Sequence, residues 1–213
     1  MEFLPSVPVL AAYVAAVLVI TFTPGPDMTL FLGKAVRQGR PAGMAAMLGA
    51  MTGSLAHTLL VALGLSALLA ASATAFFILK LVGALYLLWL AIDAVRNGSA
   101  LSFEPGAPAP RGSVLSAWAK GLGVNLLNPK IIMFFVTFLP QFVSAGDPHA
   151  MGKLIFLGVV FVAIAAPICA LMIVFASRLS NALKRSPRVM RAIDWLFAGV
   201  FSAFAIRLLA VRQ

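Results

Sequence analysis

Long apolar segments separated by short polar stretches make up most of this chain. No charged residue occurs between positions 3 and 26, and none occurs between positions 41 and 79. A membrane-spanning helix needs about 20 apolar residues. The first stretch is therefore long enough for one helix, and the second for one helix and the start of another, with a turn near residues 72–74. We predict six transmembrane helices, the last four at about residues 74–95, 113–143, 151–177 and 190–211.

The composition supports a membrane protein. Hydrophobic residues make up 62% of the 213 positions, charged residues make up 10%, and the mean hydropathy is +1.04. Soluble domains carry roughly 25% charged residues, so most of this surface must face lipid. Glu2 and the lack of a basic N-terminal region argue against a cleaved signal peptide. The single cysteine, Cys169, is expected to pack within a helix. We predict one all-α integral membrane domain over residues 1–213.

The basic residues indicate how the chain is oriented. It carries 16 Lys and Arg against 6 Asp and Glu, which gives a net charge of +10. Most of the basic residues lie in the loops between helices 1 and 2, 3 and 4, and 5 and 6: Lys34, Arg37, Arg40, Arg96, Arg111, Arg178, Lys184, Arg185, Arg188 and Arg191. Because such loops stay in the cytoplasm, we expect both termini on the extracytoplasmic side of a bacterial inner membrane. The rule accounts for the basic excess without a nucleic-acid partner.

A loop rich in proline and glycine, at about residues 97–112, divides the helices into two groups of three. The first repeat would cover about residues 1–96 and the second about residues 113–213. Because three is an odd number, the second group crosses the membrane in the opposite direction to the first. The sequence therefore predicts two inverted three-helix repeats.

Helices 1 and 4 are each interrupted by a short polar segment that contains proline. The segments are Thr-Pro-Gly-Pro-Asp at residues 23–27 and Asn-Leu-Leu-Asn-Pro-Lys at residues 125–130. Proline inside a helix removes a hydrogen bond, but apolar sequence resumes after each segment. In both segments a capping residue precedes a proline, at Thr23-Pro24 and Asn128-Pro129, as at the start of a helix. We therefore predict that helices 1 and 4 are both broken, each into two half-helices.

A pair of broken helices in inverted repeats is typical of the central site of a secondary transporter. The N-terminus of each second half-helix is expected to offer unpaired N–H groups and a positive dipole end, which favour a carboxylate. Lys130 adds a positive charge, and Asp27 is expected to hold an ammonium group or carry a proton. The expected substrate-binding residues are Thr23, Pro24, Gly25, Pro26, Asp27, Asn125, Asn128, Pro129, Lys130 and Lys80.

Other polar residues in the apolar segments have two interpretations each. His57 is expected either to relay protons together with Asp27 or to pack as a neutral histidine. Lys80 is expected either to reach the site or to extend to the outer membrane interface. Gly49 and Gly53 lie on the same helix face as His57 and favour close helix packing, which leaves a homodimer open.

Several motifs, in order along the chain, resemble the LysE/RhtB-type amino-acid exporters. They are the Thr-Pro-Gly-Pro-Asp segment at 23–27, the glycine-rich segment 43–53 followed by His57, the Lys-x-x-Gly-x-x-Tyr-Leu-x-Trp-Leu pattern at 80–90, and the segment 125–130 followed by Phe134-Phe135 and Leu-Pro-Gln-Phe at 139–142. The resemblance implies efflux of amino acids or close derivatives by proton exchange. It does not imply a particular substrate, because one fold serves many.

The charges of the interior favour a neutral substrate. A lysine-like substrate brings a second cation, but Asp27 is the only acid expected in the interior, because Asp93 and Asp194 lie near cytoplasmic helix ends. Burying an uncompensated cation costs on the order of several kcal/mol. We therefore expect a small neutral amino acid, hydroxylated or aliphatic. Its ammonium would meet Asp27, and its carboxylate would meet Lys130 and the half-helix N-termini.

Other interpretations remain open. In one interpretation the prolines are simple kinks, and Asp27 and Lys130 form a structural ion pair with no ligand. An exporter of metal or other inorganic cations would need clustered carboxylates or histidines, and a membrane enzyme would need paired acids or a nucleophile with its base. We expect no enzyme activity, no cofactor and no metal. We also expect no ATP-binding loop, because residues 146–153 have the wrong spacing for one.

Overall fold

The structure is a computed structural model, and it describes residues 4–71, 73–97, 112–143, 147–176, 191–192, 195–196, 198–200, 202–203 and 205–206. Within these residues the chain forms helices and the turns between them. The helices are α1 (Val7–Phe22), α2 (Pro26–Gln38), α3 (Arg40–Ala71), α4 (Ala73–Asn97), α5 (Val114–Leu126), α6 (Pro129–Met133) and α7 (Ala150–Val174). Helix α6 continues into a π-helical turn at Phe134–Phe138 and a 3-10 turn at Leu139–Phe142.

Both predicted helix breaks are present. Helices α1 and α2 are bent by 52° at the first break. At the second break, α5 and the half-helix Pro129–Phe142 are bent by 54°. The two bends are nearly equal, and the inverted relation of the two halves stays a prediction.

The second half-helix of the first break begins two residues later than the sequence predicted. Helix α2 starts at Pro26 with Gly25 as its N-cap, so the expectation that Thr23 caps a helix beginning at Pro24 is wrong. The Thr23 hydroxyl instead donates to Val19 O over 2.7 Å. A residue before proline favours extended backbone, and Thr23 adopts it, with φ −71° and ψ 122°. Pro26 then fits the first helical position because it needs no partner for an N–H.

Helix α3 lies at the centre of the described packing and contacts α2, α5 and α7. Glycines bring the backbones of α3 and α5 together. A Cβ added at Gly49 would lie 2.0 Å from Trp118 O, and one added at Gly121 would lie 1.9 Å from Ala46 O. The helix face that carries Gly49 and Gly53 therefore packs within the chain, in agreement with the packing interpretation.

Two helices in the described residues are long and apolar enough to cross a membrane, Arg40–Gly64 and Ala150–Val174. The number rises to four if each bent pair counts as one span. Cys169 is buried within α7, as expected for a packing residue.

The remaining elements of the six-helix prediction are described only in part. Helix α4 covers the expected third helix and begins at Ala73, so residues 73 and 74 are helical rather than part of a turn. Within the expected sixth helix, the described residues between 191 and 206 are helical. The expected loop at about 97–112 lies outside the described residues except for its two ends. The six-helix repeat arrangement therefore stays a prediction.

A polar turn precedes α7. The Asp147 carboxylate accepts a hydrogen bond from His149 N over 2.8 Å and forms an ion pair with Lys153. The hydrogen bond from Lys153 holds the pKa of the Asp147 carboxyl below its usual value. Residues 147–153 thus form a polar turn and the anchored start of α7.

Candidate functional site

The two helix breaks contact each other through their polar side chains. From the second break, Asn125 Nδ2 donates to Asp27 Oδ2 over 2.7 Å. From the same break, Lys130 Nζ donates to Thr23 O over 2.8 Å and to Ile20 O over 3.3 Å. Residues about 100 positions apart in sequence thus form one polar cluster between apolar helices.

Lys130 is bound to backbone carbonyls at the end of α1. Its ammonium lies beside Gly25, where an added Cβ would be 3.0 Å from Nζ. Within the described residues, Lys130 and Asp27 interact electrostatically but make no direct ion pair, so a purely structural role of the two charges stays open. The Lys130 ammonium therefore binds backbone carbonyls, and its expected role as a carboxylate ligand stays a prediction.

The N-terminus of α6 is closed by its own cap. Asn128 Oδ1 accepts from Lys130 N over 3.1 Å, and Asn128 O accepts from Ile131 N over 3.1 Å and from Ile132 N over 2.9 Å. Pro129 has no N–H. The expectation that this helix end offers unpaired amides to a substrate is therefore wrong, because Asn128 already accepts hydrogen bonds from these amides.

The N-terminus of α2 differs from that of α6. Its N-cap is Gly25, which has no side chain to accept from the first amides. The first backbone bond of the helix runs from Thr29 N to Gly25 O over 3.0 Å. The amides of Asp27 and Met28 precede that bond and receive no capping side chain, so the anion-binding role predicted from the sequence stays a prediction for this half-helix.

The Asp27 carboxylate and the two asparagines carry polar atoms without partners. Asn125 must direct Nδ2 to Asp27 because a carboxylate only accepts, and Asn128 must direct Oδ1 to the Lys130 amide. Three of their buried atoms make no hydrogen bond within the described residues: Asp27 Oδ1, Asn125 Oδ1 and Asn128 Nδ2. Buried polar atoms without partners are rare. Two acceptors and one donor are therefore buried together at the junction of the breaks, where the Asn128 side chain also interacts with the Asp27 carboxylate.

His57 lies next to this cluster and is buried. Its Nε2 lies 3.4 Å from Asn125 O, and its ring stacks on Phe135 with a centroid distance of 5.9 Å. Gly53, one helical turn before it, makes room for Asn125, since an added Cβ would lie 2.5 Å from Asn125 Oδ1. His57 thus packs as a core residue and also contacts the cluster, so both of its interpretations stay open.

The structure brings together most of the residues that the sequence placed at the site. The segments 23–27 and 125–130 meet, while the hydroxyl of Thr23 is used within α1. Lys80 belongs to α4, but its side chain lies outside the described part of the structure, so its role stays a prediction. Within the described residues, no group of three or more His, Cys, Asp or Glu side chains is placed to hold a metal ion.

Ser54 on α3 is a buried polar residue for which the sequence predicted no role. Its side chain is 1% exposed, and its Oγ makes no hydrogen bond within the described residues. Its backbone carbonyl accepts from the hydroxyl of Thr58 over 2.9 Å. In the sequence, its position one turn before His57 and Thr58 is the feature that sets it apart, because a lone serine in an apolar helix usually packs without a ligand.

Comparison with known proteins agrees with a membrane translocator. The sequence model of the LysE type translocator family matches residues 18–212. No solved structure matches the chain significantly.

Named relatives cover nearly the whole chain. An uncharacterized membrane protein of Vibrio cholerae is 30% identical over 89% of this chain and 91% of its own length. A homoserine/homoserine lactone efflux protein of Salmonella typhimurium is 29% identical over 95% and 96% of the two chains. A leucine efflux protein of an Enterobacter species is 26% identical over 94% of each. With the family match over residues 18–212, these similarities show that the chain belongs to the LysE type translocator family.

Proposed function

We propose that this translocator exports a small neutral amino acid, or a close derivative, across the bacterial inner membrane in exchange for protons. The substrate site lies where the two helix breaks meet. The observation that carries this proposal is the Asp27 carboxylate, which is held by Asn125 through one oxygen and has no hydrogen-bond partner on the other.

The unpartnered atoms match the two ends of an amino acid. Asp27 Oδ1 is an acceptor, as a substrate ammonium group requires. Asn128 Nδ2, which belongs to a side chain that also interacts with the Asp27 carboxylate, is a donor, as a substrate carboxylate requires. The uncapped amides at the start of α2 would add further donors for that carboxylate.

The balance of charge favours a zwitterion. Asp27 is the acid at the junction of the breaks, so one ammonium group is neutralised there and a second would be left without a partner. Leaving a buried charge without a partner is costly. A lysine-like substrate is therefore disfavoured, whereas hydroxylated and aliphatic side chains add no charge.

A single carboxylate also explains exchange with protons. When Asp27 is ionised it can hold the ammonium group, and when it is protonated it is neutral and holds that group poorly. Proton and substrate then compete for one residue, which is the basic requirement of antiport. His57, in contact with Asn125 O, is the residue through which protons would reach the cluster.

Two relatives support the substrate class. One is named for the efflux of homoserine and its lactone, and another for the efflux of leucine. These compounds include a hydroxylated and an aliphatic neutral amino acid.

Measurement of efflux from cells that lack or overproduce the protein tests this proposal. Cells are loaded with radiolabelled threonine, homoserine, leucine or lysine, and release is followed after dilution. We expect overproduction to accelerate the release of at least one neutral amino acid by about tenfold or more relative to lysine, because a second buried cation costs several kcal/mol. Strong release of lysine with none of the neutral compounds would refute the proposed substrate class.

A further inference from the structure

The C-terminal end of α1 has carbonyl groups that its own helix cannot satisfy. The last bond of the helix is from Thr23 N to Val19 O, over 3.0 Å. The next acceptor, Ile20 O, would need a donor at residue 24, but Pro24 has no N–H. In the interior of a membrane protein such an orphan carbonyl is costly, because no bulk water is present to pair with it.

Lys130 supplies the missing donor from across the junction. Its Nζ donates to Ile20 O over 3.3 Å and to Thr23 O over 2.8 Å. A cation is the favoured partner there, since the C-terminus of a helix carries the negative end of the dipole.

Gly25 leaves the space that this contact needs. An added Cβ would lie 3.0 Å from Nζ, 3.2 Å from Cε and 3.8 Å from Cδ of Lys130. The backbone of Gly25 is extended, with φ −173°, a conformation open to any residue. The glycine is therefore explained by the lysine side chain that crosses it and not by a backbone requirement.

We propose that Lys130 is a positioning residue, which caps the end of α1 and holds the first break in shape, and that it is not a ligand of the substrate carboxylate. Because Asn128 fixes the start of α6, the lysine ties the geometry of one break to that of the other. The proposal depends on the end of α1 and not on the identity of the substrate.

The first test measures the thermal stability of the purified protein and requires no transport assay. Lys130→Met keeps an unbranched apolar side chain but removes the donor, and Gly25→Ala adds the methyl group that meets the lysine. We expect each variant to lower the melting temperature of the purified protein in detergent. The melting temperature of the double variant should fall by clearly less than the sum of the two single decreases, because the two residues act as one unit. Gly33→Ala is the matched control on α2, since an added Cβ there meets nothing within 4 Å.

The second test separates positioning from binding. Loss of a buried hydrogen bond between charged groups raises KM by about tenfold or more. We expect Lys130→Met to lower the maximal efflux rate while KM for the exported amino acid changes by less than about threefold. A rise in KM of tenfold or more, or strictly additive losses of stability, would overturn the proposal. Failure of every amino acid to be exported would refute the proposed function but leave the stability test intact.

Discussion

Asp27 is the residue on which the proposed exchange of substrate for protons depends. Asn has nearly the same size and can still face Asn125, so Asp27→Asn should preserve the fold. It removes the charge that holds an ammonium group, and a charged hydrogen bond of this kind is worth about 1.5–3 kcal/mol. We therefore expect KM for the exported amino acid to rise by about tenfold or more, and efflux from membrane vesicles to lose its dependence on the pH gradient.

Asp147→Asn provides the matched control for that experiment. Asp147 is also a carboxylate held by a neighbouring side chain, Lys153, but it lies before α7 and away from the cluster. Its replacement should leave KM and the pH dependence of efflux unchanged. Wild-type export by Asp27→Asn over the same pH range would remove Asp27 from the mechanism.

Individual residues at the breaks were predictable to different degrees. Asn128-Pro129 was assigned correctly, because the segment 125–130 contains one proline and therefore offers one possible helix start. The segment 23–27 has two prolines, so two starts were possible, and the choice depends on contacts across the junction. The hydrogen-bond partners of the Lys130 side chain could not be predicted, because a long flexible side chain binds the acceptors that the folded chain brings within its reach.

At the scale of helices, close contact between α3 and α5 determines how the second break is placed. The backbones touch at Gly121, where an added Cβ would lie 1.9 Å from Ala46 O. We expect Gly121→Ala to destabilise the protein by about 1–3 kcal/mol, the usual range for overpacking, and to reduce export by displacing Asn125 on the same helix. Thermal denaturation and efflux rates measure the two effects.

Gly123→Ala is the control for this prediction. Gly123 lies on the same helix, and a Cβ added there meets nothing within 4 Å. The variant should be neutral or slightly stabilising, because alanine favours helix more than glycine does. Equal stability of the two alanine variants would show that the α3–α5 contact is not tight.

The shape of the fourth helix beyond its break was not visible in the sequence. The sequence predicted a helix resuming after Pro129, but the structure changes to π-helical geometry at Phe134–Phe138. There Thr137 Oγ1 donates to Met133 O over 2.7 Å, and a Cβ at Gly83 of α4 would lie 2.2 Å from Thr137 Cβ. The change of geometry accompanies a contact with a distant helix, which periodicity cannot reveal.

At the scale of the whole molecule, the two breaks are similar in bend but different in chemistry. The sequence showed matching proline segments, and the bends of 52° and 54° agree with that match. The second break closes its own helix end with Asn128, whereas the first leaves the end of α2 uncapped and carries the free carboxylate oxygen of Asp27. Any symmetry between the halves is therefore broken at the proposed site, and the two ends of a substrate would be recognised differently.

The orientation of the molecule in the membrane is the remaining prediction at this scale. Single cysteines are introduced at Arg37, near the end of α2, and at Pro148, before α7, in a Cys169→Ala background. Both positions are exposed. Because basic loops stay in the cytoplasm, an impermeant maleimide should label Pro148→Cys in intact spheroplasts and should label Arg37→Cys only after permeabilisation. Labelling of Arg37→Cys from outside would invert the topology. It would also reverse the side of the membrane from which protons reach the cluster at Asp27.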